Sequence, residues 1–150
     1  MAHFQFRLQN VVGLRERERD RAAGSYKEAL AAKDKLERQI DDLMEEHHQQ
    51  MPLQAGSSSG QVNTQRLIES QRYQLHLLQQ AQQLREQVKL IDAECEKRRM
   101  ILVVREQALS SLEKLREKQR EQWNASQAER EQIELDQWAG FKYWKHSQTP

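Results

Sequence analysis

The sequence predicts an all-α protein in which two long helices form an antiparallel coiled-coil hairpin, the second helix longer than the first. Three observations predict it. The 150 residues are 31% charged and 37% apolar, with a mean hydropathy of −1.02, which suits a narrow apolar seam and not a thick core. Twenty-two glutamines stand among many Glu, Arg, Lys, Ala and Leu, all good helix formers. The prolines are Pro52 and Pro150, and Pro52, Gly56 and Gly60 mark one central break, with Gly13, Gly24 and Gly140 towards the ends. One coiled-coil hairpin over residues 1–150 is therefore expected.

The first helical pattern runs from about Phe4 to His47. Its seam is Leu8, Val11, Ala22, Ala29, Leu36, Ile40, Leu43 and His47, mostly spaced by three, four or their sums. A phase slip of about one residue, a stutter, is expected between Ala29 and Leu36. The seam is poor, because Arg15, Glu18 and Ser25 occupy positions where a coiled coil favours aliphatics.

Gln49 to Asn63 combines Pro52, two glycines and three serines, so it reads as a flexible tip. Asn63 or Thr64 is placed to cap the next helix.

The second helix is expected from about Thr64 to about Trp144, ending in the aromatic cluster just beyond Gly140, followed by a short tail. Its seam alternates three and four without a break through Leu67, Ser70, Gln74, Leu77, Ala81, Leu84, Val88, Ile91, Cys95, Arg98, Leu102, Arg105, Leu109, Leu112, Arg116, Gln119, Trp123, Ser126, Arg130, Ile133 and Gln137. Such a run signals a coiled coil. At 1.5 Å per residue the helices span roughly 65 Å and roughly 110–120 Å. A tight tip then sets His47 near Thr64 and Leu8 near Val103, with an overhang of about 35 residues whose stripe of Leu109, Leu112, Trp123 and Ile133 lacks a partner.

Charge excludes some functions. The net charge is +1, and acids and bases alternate, as in Arg15 to Arg21, so no nucleic-acid footprint is present. Cys95 is the single cysteine, which permits no intrachain disulfide and suits a reducing compartment. Met1 to Asn10 has no apolar leader core, and no 18-residue apolar run occurs. The expectation is a soluble cytosolic chain without a transmembrane segment.

No residue set looks catalytic, and no cofactor or metal is expected. None of the glycines forms a phosphate loop. Adjacent His47 and His48 point about 100° apart on a helix and cannot chelate one ion together. Cys95 lies on the seam, where a buried small hydrophobe is the simplest account. The sequon at Asn124 to Ser126 is a chance match in a chain with no secretion signal. Trp123, Trp138 and Trp144, with Phe4 and Phe6 at the other end, either pack the two ends together or anchor a partner.

The ends carry two further patterns. Phe4-Gln5-Phe6-Arg7-Leu8-Gln9-Asn10-Val11-Val12, then Leu14-Arg15-Glu16, is followed far downstream by Leu112-Glu113-Lys114-Leu115-Arg116-Glu117-Lys118 and by Glu129 to Ala139. These resemble the terminal motifs of the flagellar FliJ family, Gln137 departing from the usual acid after Asp136. The resemblance implies an accessory of the flagellar type III export apparatus and no enzyme. Such a protein is cytoplasmic and peripheral to the inner-membrane export machinery. It acts as a stalk that enters the hexameric export ATPase and promotes its assembly and activity, and it also contacts the export gate protein and export chaperones. By the resemblance, the ATPase-binding residues are Phe4, Phe6, Arg7, Leu8, Val11, Leu14, Arg15, Leu112, Leu115, Arg116, Glu131, Asp136 and Trp138. The export-gate-binding residues are Gln39, Leu43, Arg72, Leu75 and Leu78. A passive coiled-coil spacer with self-association, or the equivalent stalk of a virulence secretion system, stays open as an alternative.

Overall fold

A computed structural model describes residues 2–57 and 64–148, with side chains placed for 2–51 and 64–148. Among the described residues there are two helices, α1 (Gln9–Ser57) and α2 (Thr64–Ser147), and no strand. The second is the longer, as the sequence predicts. Neither contains a residue with positive φ, the glycines among the described residues included.

Three boundaries differ from the sequence reading. α1 begins at Gln9 and not at Phe4, because Phe4 and Phe6 are two residues apart. Alternation of that kind puts both rings on one side of extended chain, whereas a helix would turn them about 200° apart. The segment enters the helix through a turn in which the Gln9 amide donates to the Phe6 carbonyl at 3.1 Å. α1 then continues past His47 to Ser57. Gln49, Gln50, Met51 and Leu53 are good helix formers, and a proline removes a single backbone donor. α2 ends at Ser147, a turn beyond Trp144. Residues 58–63, with the remainder of the predicted tip and the Asn63 cap, lie outside the described residues.

The chain divides into two compact units, Met1–Arg19 with Arg105–Pro150, and Asp20–Val104. In the first unit the segments run antiparallel. Phe4 meets Trp123 with ring centroids 6.2 Å apart, Arg116 donates to Gln9 at 3.4 Å, and Arg105 pairs with Glu18 at 3.3 Å. The core is Phe6, Val12 and Leu109, with Phe4, Leu8 and Leu112 packed against it. Val12 is wholly buried, deeper than the Val11 that the seam predicted.

This pairing corrects the expected register. Leu8 shares a cluster with Leu112 instead of lying near Val103, a displacement of about two and a half helical turns. The longer α1 is the reason, since extending the first arm moves its start further along its partner. Leu109, Leu112 and Trp123 are accordingly covered, and the continuously exposed part of α2 begins after Gln127. Ile133 stays uncovered, as expected, at 48% exposure.

The second unit is also antiparallel. Arg98 donates to the Ser25 carbonyl at 2.8 Å, Lys33 pairs with Asp92 at 2.6 Å, and Tyr73 bonds Glu46. Glu46 thus reaches Tyr73, and the expected meeting of His47 with Thr64 does not occur. The first two contacts set Ala29 level with Cys95, and both are buried. The predicted stutter is absent. Ala29, Lys33, Leu36, Ile40 and Leu43 follow four, three, four, three, each at least partly buried, because Lys33 fills the seam position that looked vacant of an apolar residue. Its stem lies along the seam, while its ammonium reaches Asp92, whose hydrogen bond and charge raise the lysine pKa.

Every predicted α2 seam position in this unit, Leu67 to Leu102, is buried or half-buried, as are Arg105 to Trp123 in the other. The run ends there, with Ser126, Arg130, Ile133 and Gln137 exposed.

Two outcomes follow for stability. Leu109→Ala should cost about 2–3 kcal/mol in urea unfolding followed by circular dichroism, while Leu90→Ala, at a side chain 74% exposed, should change nothing measurable. Lys33→Met should raise the unfolding midpoint, since an aliphatic seam residue outweighs a solvent-screened ion pair.

Candidate protein-binding surfaces

The residues singled out in the sequence fall into two groups in the first unit. Phe6 is buried and Phe4, Leu8 and Leu112 are half-buried, so these apolar residues form the scaffold. Val11 is half-buried beside them. Arg15 bonds Glu18 at 2.9 Å, Glu18 in turn pairs with Arg105, and Arg116 bonds Gln9, so both arginines serve the pairing of the helices. Six residues face solvent: Arg7, Leu14, Leu115, Glu131, Asp136 and Trp138. Leu14, Leu115 and Trp138 are 45%, 37% and 63% exposed.

Beyond Trp123 only Gln127 is even half-buried, and residues 128–148 are exposed throughout. That stretch still carries Ile133, Leu135, Trp138, Phe141, Tyr143 and Trp144. Soluble surfaces rarely display so many large apolar side chains together unless something covers them. Phe141 and Trp144 lie against each other, with centroids 6.1 Å apart, and the Lys142 ammonium sits 4.8 Å from the centre of the Trp138 ring. Gln132 donates to Asp136 at 3.1 Å. The terminal motif gives Phe141 and Tyr143 no role because it stops at Ala139, and within it Leu135 is not among the contact residues that the resemblance implies. Their signal was the concentration of aromatics in a chain with few of them.

The terminal aromatics thus divide. Phe4 and Trp123 pack the two ends together, and Trp138 and Trp144 stand free of that core.

In the second unit Leu43 is half-buried and lines an open groove of about 400 Å³ with Gln39, Asp42, Glu46, Gln80, Gln83, Leu84 and Gln87. Gln39 and Arg72 are exposed, as are Leu75 at 57% and Leu78 at 38%. Leu43 and Gln39 share the groove, while Arg72, Leu75 and Leu78 lie further along α2 beside Tyr73. The hydrogen bond to Glu46, foremost, then burial and the carboxylate charge hold the Tyr73 phenol above the ordinary tyrosine range. Cys95 is a buried free thiol. Among the described residues no three His, Cys, Asp or Glu side chains converge as metal ligands, and no helix is long and apolar enough to cross a membrane.

The model of one protein family, described as the flagellar FliJ protein, matches residues 4–148. No curated protein and no solved structure gives a significant match.

The Tyr73–Glu46 bond has a pH signature. A raised phenol pKa means its contribution is complete below the ordinary tyrosine range and is lost as pH rises through the raised value. Ultraviolet titration should find one of the three tyrosines ionising late, and Glu46→Ala should return it to the ordinary range.

Proposed function

The chain belongs to the flagellar FliJ family, and on that premise we propose that it is a stalk-like partner of the hexameric flagellar export ATPase. Membership assigns it to flagellar type III export as an accessory component. The finer reading is that the end holding both terminal segments enters the ATPase ring and promotes ring assembly and hydrolysis. The observation that carries it is the exposed stretch of α2 after Gln127, whose apolar side chains have no cover among the described residues.

Arg7, Leu14, Leu115, Glu131, Asp136 and Trp138 are the exposed residues that make this contact. Phe4, Phe6, Leu8, Val11, Leu112, Arg15 and Arg116 hold them in place from within the helix pair. The surface with Gln39, Leu43, Arg72, Leu75 and Leu78 contacts the cytoplasmic part of the export gate, and export chaperones are further partners. Binding of this kind needs no pocket that excludes water, which is consistent with an accessory role.

Purified protein should raise the ATP hydrolysis rate of the cognate export ATPase. Arg7→Glu combined with Leu14→Ala and Leu115→Ala should cut that stimulation at least tenfold with helicity unchanged. Leu75→Ala with Leu78→Ala should leave it intact and weaken capture of the gate domain. Absence of stimulation by the wild-type chain in an active ATPase preparation would overturn the proposal.

A further inference from the structure

The exposed end of α2 has a face with an internal symmetry. At 100° per residue, Glu131, Glu134, Leu135, Phe141, Lys142 and Lys145 all fall within about 60° of Trp138 around the helix. They are exposed, and two adjoining surface grooves are lined by them on either side of Trp138. Reading outwards from Trp138, the residue three positions before is Leu135 and three after is Phe141. Four before is Glu134 and four after is Lys142. Seven before is Glu131 and seven after is Lys145. The face is therefore apolar at its centre, acidic on one side and basic on the other, at matched distances.

We propose that this face binds a second copy of the same chain, the two helices crossing antiparallel about a two-fold axis through Trp138. In that arrangement residues equidistant from Trp138 on opposite sides lie level with each other. Trp138 meets its symmetry mate on the axis, Glu131 meets Lys145, Glu134 lies level with Lys142 within reach of its long side chain, and Leu135 and Phe141 cover opposite flanks of the tryptophans. A two-fold interface requires a self-complementary patch, and a face whose charges invert about its centre supplies one. A parallel pair would set glutamate against glutamate and lysine against lysine, which is repulsive, so the charges select direction as well as partner. The Lys142 ammonium, already above the indole of its own chain, is placed to bridge that ring and the facing Glu134.

Four helical turns bury less than the roughly 800 Å² per partner of a standard interface, so the pair dissociates readily. Trp138 is its anchor, and the flanking ion pairs weaken with salt. The inference does not need the ATPase reading, although Glu131 and Trp138 serve in both, and its test contains no ATPase.

Sedimentation equilibrium of the full chain from about 1 μM to about 100 μM should show a reversible monomer–dimer equilibrium. Trp138→Ala should weaken it at least tenfold. So should Glu131→Lys with Glu134→Lys, and, separately, Lys142→Glu with Lys145→Glu, because each double variant makes the face a single charge. An equimolar mixture of the two double variants should recover dimers, as their faces then complement each other. Circular dichroism confirms that the variants remain helical. The proposal is overturned by a wild type that stays monomeric throughout, by a dimer indifferent to these variants, or by a mixture that fails to pair. A monomer that instead binds vesicles rich in anionic lipid would also overturn it and assign the aromatic and basic end to a membrane surface.

Discussion

Register is the constraint on which the remainder of the structure depends. Apolar contact is not directional, so a seam of leucines and alanines would accept a slide of one heptad at modest cost. The polar positions do not accept it. In the second unit the seam residue Arg98 finds the Ser25 carbonyl, and in the first Arg105 finds Glu18 and Arg116 finds Gln9. Each such pair stabilises little, about 0–1 kcal/mol when partly exposed. A slide of one heptad breaks all three contacts at once, and Arg105 then faces Val11 or Ser25 in place of Glu18, a difference that helps select one arrangement. Where matching is incomplete, at Ser70 Oγ and Gln74 Nε2, buried polar atoms lack a hydrogen-bond partner among the described residues, and the seam is correspondingly less specified.

How much of this was legible in the sequence depended on which side chains carried the signal. The α2 seam was readable position by position from Leu67 to Trp123, because its three-four alternation is dense in aliphatics. The α1 seam was not. Lys33 is charged, so its position looked vacant and suggested a stutter, although a lysine stem fills a seam site while its ammonium reaches Asp92. Phe4 and Phe6 misled in the opposite way. They looked like the start of a helix because a helix follows, but their two-residue spacing belongs to extended chain. The sequence overstates the overhang because Pro52 and the glycines after it mark an early end to α1, which in fact continues to Ser57.

The candidate surfaces were legible in part. A terminal motif names residues that matter without saying whether each supports the helix pair or faces outwards. Burial separates Phe6, Leu8 and Leu112 from Arg7, Leu14 and Leu115, a division that the seam spacing carries at Leu8 and Leu112 and the terminal motif does not. The sequence predicts an uncovered stripe of Leu109, Leu112, Trp123 and Ile133 at this end of α2, and pairing covers the first three. The members that remain are Ile133 and the residues after it. The charge inversion about Trp138 is present in the sequence, and it becomes informative once the structure shows Leu135, Trp138 and Phe141 exposed together.

The contact between Phe4 and Trp123 also sets a timetable for synthesis. The two phenylalanines leave the ribosome some hundred residues before the leucines and the tryptophan that shelter them. At roughly 5–20 residues per second that interval is about 6–24 s. Through it the nascent chain exposes an aromatic tag whose binding site has not yet been made. Those are the seconds in which this otherwise highly polar polypeptide is most open to a chaperone or to a wrong neighbour.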